Sequence, residues 1–88
     1  MYVYRRPGLE LRVGAADLVI AEGGASRVIP LASIERVDRP PDLLRRTVRI
    51  VEHDGRAHVV QTAIGHAPEV EAAIDAAIAL DLLGAQPG

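Results

Sequence analysis

Residues 47–63 read TVRIVEHDGRAHVVQTA. Two β-branched runs, TVRIVEH (47–53) and RAHVVQTA (56–63), flank the dipeptide Asp54-Gly55. Asp-Gly between such runs is a strong hairpin signal, because glycine accepts the positive φ that tight hairpin turns need. The register stays open. A two-residue turn sets Ile50 opposite Val59; a three-residue loop with a glycine bulge sets Ile50 opposite His58. The choice decides whether His58 faces the core or water, since a slip of one residue moves every side chain to the other face.

Further strand signals lie upstream. YVYR (2–5) stops at the Arg6-Pro7-Gly8 turn, and LELRV (9–13) alternates, with Leu9, Leu11 and Val13 on one face. DLVIAE (17–22) runs to Gly23-Gly24, which suits another hairpin. SRVIPL (26–31) contains Pro30, which cannot donate to a ladder and marks an edge or a bulge. IERVD (34–38) is followed by RPPDLLRR (39–46), too rich in proline to be strand.

After the hairpin the period changes. Val70, Ile74, Ile78 and Leu82 recur every four residues, with Ala73 and Ala77 on the same face. That spacing predicts one amphipathic helix of about four turns whose stripe, Leu82 included, lies on a sheet. Pro68 suits its first turn, and Gly84 is a natural terminator. His66 is expected to end the strand or cap the helix. The adjacent apolar pairs Val19-Ile20, Val28-Ile29, Ile50-Val51 and Val59-Val60 predict that the second face of the sheet is covered too. The cover expected is a second sheet, barrel curvature or another subunit.

The expected class is therefore α+β: a small antiparallel β-barrel or sandwich of about seven strands with one C-terminal amphipathic helix. The 88 residues are expected to form a single domain over 1–83, with 84–88 a frayed tail. The core must be aliphatic, since Phe and Trp are absent and Tyr2 and Tyr4 are the only aromatics.

This order of elements resembles the bacterial pleckstrin-homology-like domains and their GRAM relatives. The resemblance runs from about Leu9 to Leu82. It is carried by the antiparallel strands, the bend in SRVIPLASIERV (26–37), the Asp-Gly hairpin and the terminal helix. It implies two near-orthogonal sheets in a partly open barrel, a helix closing one end, and self-association. Phosphoinositide binding is not implied, because Arg12 is present but Glu10 stands where a partner base belongs.

Composition narrows the function. There is no Cys, which excludes disulfides and Cys-based zinc sites. No leader and no membrane-length apolar run is visible, so the expected location is cytoplasmic. All ten basic residues are Arg, and all lie at or before Arg56. Ten arginines against eight acids give the first 56 residues +2, and four acids without a base give the remainder −4. Between Arg36 and Arg49 five arginines face Asp38 and Asp42.

An enzyme needs a nucleophile, an acid–base pair or a metal. Ser26 and Ser33 are the only serines, neither near a His–Asp pair in sequence, so no catalysis and no cofactor are expected. Glu52, His53, Asp54 and His58 cluster on the hairpin but read as turn residues rather than metal ligands. Tyr2 and Tyr4 share a face but are expected to cover the core at an edge strand, so nucleic-acid binding is disfavoured. The remaining expectation is a non-catalytic binding or scaffolding module that associates with protein, itself included. The alternative is contact with acidic lipid or a phosphate ligand. The candidate contact residues for either are Arg36, Arg39, Leu43, Leu44, Arg45, Arg46 and Arg49. Within that loop, Asp42 is expected to pair with Arg45 or Arg46, one leucine to cap the barrel core, and the other to touch a neighbour.

Overall fold

The computed structural model describes residues 1–84. Strands β1 (Tyr2–Arg6), β2 (Leu9–Val13), β3 (Asp17–Glu22) and β4 (Ala25–Pro30) form one antiparallel meander. A 3₁₀ turn, Leu31–Ser33, leads into a second antiparallel sheet of β5 (Ile34–Asp38), β6 (Thr47–Glu52) and β7 (Ala57–Gln61). Helix α1 (Ala67–Gly84) follows.

Local chemistry accounts for the turns. Glu22 pairs with Ala25, and the two residues between them, Gly23 and Gly24, have φ of 61° and 83°. Two successive positive φ values match the right-handed twist of the flanking strands and favour glycine at both positions. Pro30 ends β4, an edge strand, where its missing N–H interrupts no ladder.

The β6–β7 register is the three-residue one. Ile50 lies opposite His58, and Glu52 N–H donates to Arg56 C=O at 2.8 Å across the loop His53-Asp54-Gly55. Gly55 has φ 92°, the bulge position that only glycine occupies without strain. Val48 and Ile50 thereby share the inner face with Val60 and His58.

The buried side chains form one cluster. Leu11, Leu18, Ile20, Leu31, Val48, Ile50, Val60, Val70 and Ile74 are all fully buried, drawn from both sheets, the 3₁₀ turn and the helix. Each contributes about 1.5–3 kcal/mol by leaving water. Tyr4 belongs to this cluster, and Tyr2 packs against it.

Three expectations are corrected. The sheets do not close into a barrel: no strand of one ladders with a strand of the other. Ladder partners must lie within about 5 Å, whereas β7 reaches the first sheet through long arginine side chains. Arg27 on β4 donates to His58 Nδ1 at 3.2 Å, and Arg6 at the end of β1 donates to Gln61 C=O at 2.6 Å.

The second correction concerns the outer faces. Val51 is covered, but Val28 and Val59 are exposed and Val19 is half-buried, so within one chain neither a second sheet nor curvature covers that face. Val19 and Val28 are instead cross-strand partners on the wet side. The third concerns the helix. Ala67, Val70 and Ile74 are buried and Ile78 is half-buried, but Leu82 is 61% exposed. Eighteen residues span about 27 Å, and the helix outruns the sheet it packs on. Gly84, expected in the frayed tail, is still helical as the last described residue, and residues 85–88 of that tail lie outside the described residues.

Candidate functional site

RPPDLLRR is a braced loop. The Asp42 carboxylate accepts hydrogen bonds from the Leu44 N–H (3.0 Å), the Arg46 N–H (2.9 Å) and the Thr47 hydroxyl (2.9 Å). Its C=O also accepts from Arg45 N–H at 3.1 Å. Asp42 thus organises backbone rather than pairing with the Arg45 or Arg46 side chain. These donors, Arg46 N–H first and the Thr47 hydroxyl next, hold its carboxyl below the usual aspartate value.

The loop is fastened equally well on its other side. The carbonyls of Leu44, Arg45 and Arg46 accept from the N–H groups of Gly65 (2.9 Å), Ala67 (3.1 Å) and Thr62 (2.6 Å). Ala67 N–H is one of the helix's unpaired N-terminal donors. Arg45 adopts φ 51°, uncommon for a residue with a Cβ, and its surroundings keep it there.

With its backbone engaged, the loop turns its leucines outward. Leu43 is 102% exposed and Leu44 48%; Ile64, on the adjoining β7–α1 connection, is 65% exposed. Neither leucine caps the core, contrary to the sequence-based expectation: both side chains are exposed and outside the buried cluster. The result is an exposed aliphatic knob on two loops whose backbones are tied by the Gly65–Leu44 bond. Ile64 carried no signal in sequence, since only the pairing of the two loops brings it there.

The arginines of the 36–49 stretch do not act as one patch. Arg49 makes a two-pronged contact with Asp38 (2.8 and 3.0 Å), and Arg36 donates to Asp38 (3.2 Å) and Glu35 (3.1 Å). The Arg49 bond, then that of Arg36, holds the Asp38 carboxyl low. Arg39 donates to Glu71 on the helix at 2.9 Å. Arg45 has no ion-pair partner among the described residues, and Arg46 buries an Nε without an acceptor. Leu43, Leu44, Arg45 and Arg46 therefore stand together, while Arg36, Arg39 and Arg49 turn to carboxylates.

Two polar assemblies escaped sequence reasoning. The Tyr4 hydroxyl accepts the Ala63 N–H at 2.8 Å and lies 2.9 Å from His66 Nδ1, joining β1 to the β7–α1 connection. At the other end, Glu52 lies 2.7 Å from His58 Nε2 and accepts from the Ser33 hydroxyl at 3.2 Å. The His58 bond, with Ser33 and Arg56 behind it, holds Glu52 below its ordinary value against the opposing effect of burial. Arg27 donates to Nδ1, which places the imidazole proton on Nε2. The Ser33 hydroxyl points at a carboxylate and at Pro30 C=O (2.8 Å), so it has no imidazole base beside it. Among the described residues no three His, Asp or Glu converge on one point, and no helix is long and apolar enough to cross a membrane.

No family model matches the chain, and no curated protein matches it in sequence. Among solved structures it is similar to the crystal structure of the C-terminal domain of an unknown protein from Leishmania infantum. That match has a TM-score of 0.67 at 9% identity, over 88% of this chain and 77% of the other. The likeness is one of fold alone.

Proposed function

We propose that this chain is a non-catalytic, pleckstrin-homology-like association module of the cytoplasm that docks on protein, a second copy of itself included, through the Leu43–Leu44–Ile64 knob. The observation that carries the reading is the combination of a fastened backbone and exposed side chains. A loop backbone tied down by Asp42 and by three backbone carbonyls presents a fully exposed leucine. Preorganised aliphatic groups bind with little ordering cost. Four strands, then three, then a C-terminal helix support the pleckstrin-homology-like assignment. The lack of an imidazole hydrogen-bonded to Ser33 supports a role without catalysis.

Arg45 beside Leu43 favours a second reading, insertion of the leucine into an acidic lipid surface with arginine at the headgroups. The pairing of Arg36, Arg39 and Arg49 with carboxylates leaves little free charge for it.

Light scattering over a concentration series tests the first reading. The wild type gains mass above the 9.4 kDa monomer, and Leu43→Asp does not. A wild type that stays monomeric to about 1 mM, with sedimentation on phosphatidylserine vesicles that needs Leu43, selects the lipid reading instead.

A further inference from the structure

A second apolar feature lies apart from the knob. Between the helix and the β1 and β2 ends runs a groove of about 530 Å³, lined by Met1, Tyr2, Ala73, Ala76, Ala77 and Leu80 among others. Its helix wall is made of alanines, and Leu80 stands 69% exposed at its lip. None of the residues that line it carries a charged side chain. Glu69 lies one turn before Ala73 on the same helix face, and its charge, after burial, helps push up the Tyr2 hydroxyl. That spacing sets the acid just beyond Ala73, at the end of the groove nearer the helix start. Helix α1 has no basic residue to offset it.

We propose that this groove is the socket for the knob: Leu43 and Leu44 of one copy enter the groove of another, and Arg45 of the first meets Glu69 of the second. The inference rests on the association reading above and names its partner surface. Three features support it. A cavity of about 150 Å³ suffices for one benzene ring, so the groove has room for both leucine side chains. The knob carries a cation without a partner, while the socket has an anion at its edge and no cationic side chain in its lining. The two surfaces share no residue: the knob comes from the loops before β6 and after β7, the socket from β1, β2 and the helix. Each copy thus has one surface to give and one to receive, and the contact is between unlike patches.

Two variants separate knob from socket. Leu43→Asp with Leu44→Ser removes the knob and keeps the groove. Ala76→Arg, at an exposed helix position, fills the groove and sets a cation against Arg45, while the knob stays intact. Leu80→Asp serves as a second socket variant if Ala76→Arg melts early by circular dichroism.

Sedimentation velocity is then run on each variant and on an equimolar mixture. Each variant alone is expected to associate at least about thirtyfold more weakly than wild type, the scale set by burying one leucine. The mixture is expected to form one-to-one dimers, because it unites an intact knob with an intact socket. Monomeric variants whose mixture also stays monomeric overturn the socket and leave the knob reading standing. A socket variant that associates like wild type does the same. A wild type that is monomeric to about 1 mM overturns both.

Discussion

Tyr4→Phe isolates one oxygen atom at the point where β1 fastens the β7–α1 connection. The ring is buried in the core, and its edge-to-face contact with His66, at 5.7 Å and 88°, survives the change. What is lost is the acceptor for Ala63 N–H, a half-buried donor with its bond at 2.8 Å. A buried donor left without a partner costs about 1–3 kcal/mol, more than the net value of the bond itself. The His66 contact adds little, because His66 is exposed and water replaces the hydroxyl. The expected loss is therefore about 1.5 kcal/mol, or roughly 6–12 °C in Tm for a domain of this size. Urea denaturation should show a lower midpoint with an unchanged slope, and His66→Ala should cost under about 0.5 kcal/mol. Hydrogen exchange at Ala63 should speed up in the Phe variant. A Tyr4→Phe loss below about 0.3 kcal/mol, or a His66→Ala loss as large as that of Tyr4→Phe, would refute the assignment of the energy to Ala63 N–H.

Other outcomes follow from burial, backbone and charge. Ile74→Ala should cost about 2–5 kcal/mol by calorimetry, whereas Leu82→Ala, on the same four-residue spacing, should stay within about 0.5 kcal/mol. Gly55→Ala meets no atom within 4 Å, so its cost, about 1 kcal/mol in urea denaturation, measures the positive φ alone. Glu52 and Asp42 are held below their unfolded values. Their stabilisation is complete above the ordinary carboxylate range and is lost as pH falls through the lower folded values. The urea midpoint should drop between about pH 5 and pH 2, and Glu52→Gln should be weaker at neutral pH with a flatter acid slope.

The strands were legible because alternation and turn chemistry agree: Leu9, Leu11 and Val13 face inward, and Gly23-Gly24 makes the turn that two glycines favour. The β6–β7 register was not legible, because Asp-Gly serves both loop lengths. Only the φ of Gly55 and the Glu52–Arg56 pairing decide it. Leu82 misled because periodicity reports a helix face but not where the supporting sheet ends. The arginine stretch misled because its neutralising partners are distant or on another element: Glu71 is 32 residues from Arg39. Leu43 and Leu44 stood out in sequence, but their exposure depends on backbone bonds to residues 62–67, which no local pattern reveals. Barrel closure failed because it depends on the distance between sheets, which the strand patterns do not encode.

The most direct measurement is methyl NMR of the selectively labelled wild type from about 10 μM to 1 mM. The methyls of Leu43, Leu44 and Ile64 should shift and broaden with concentration, together with those of Leu80 and Ala76, while the exposed methyls of Val28 and Val59 stay fixed. Concentration-dependent shifts confined to Val28 and Val59, or none at the knob, would contradict the account.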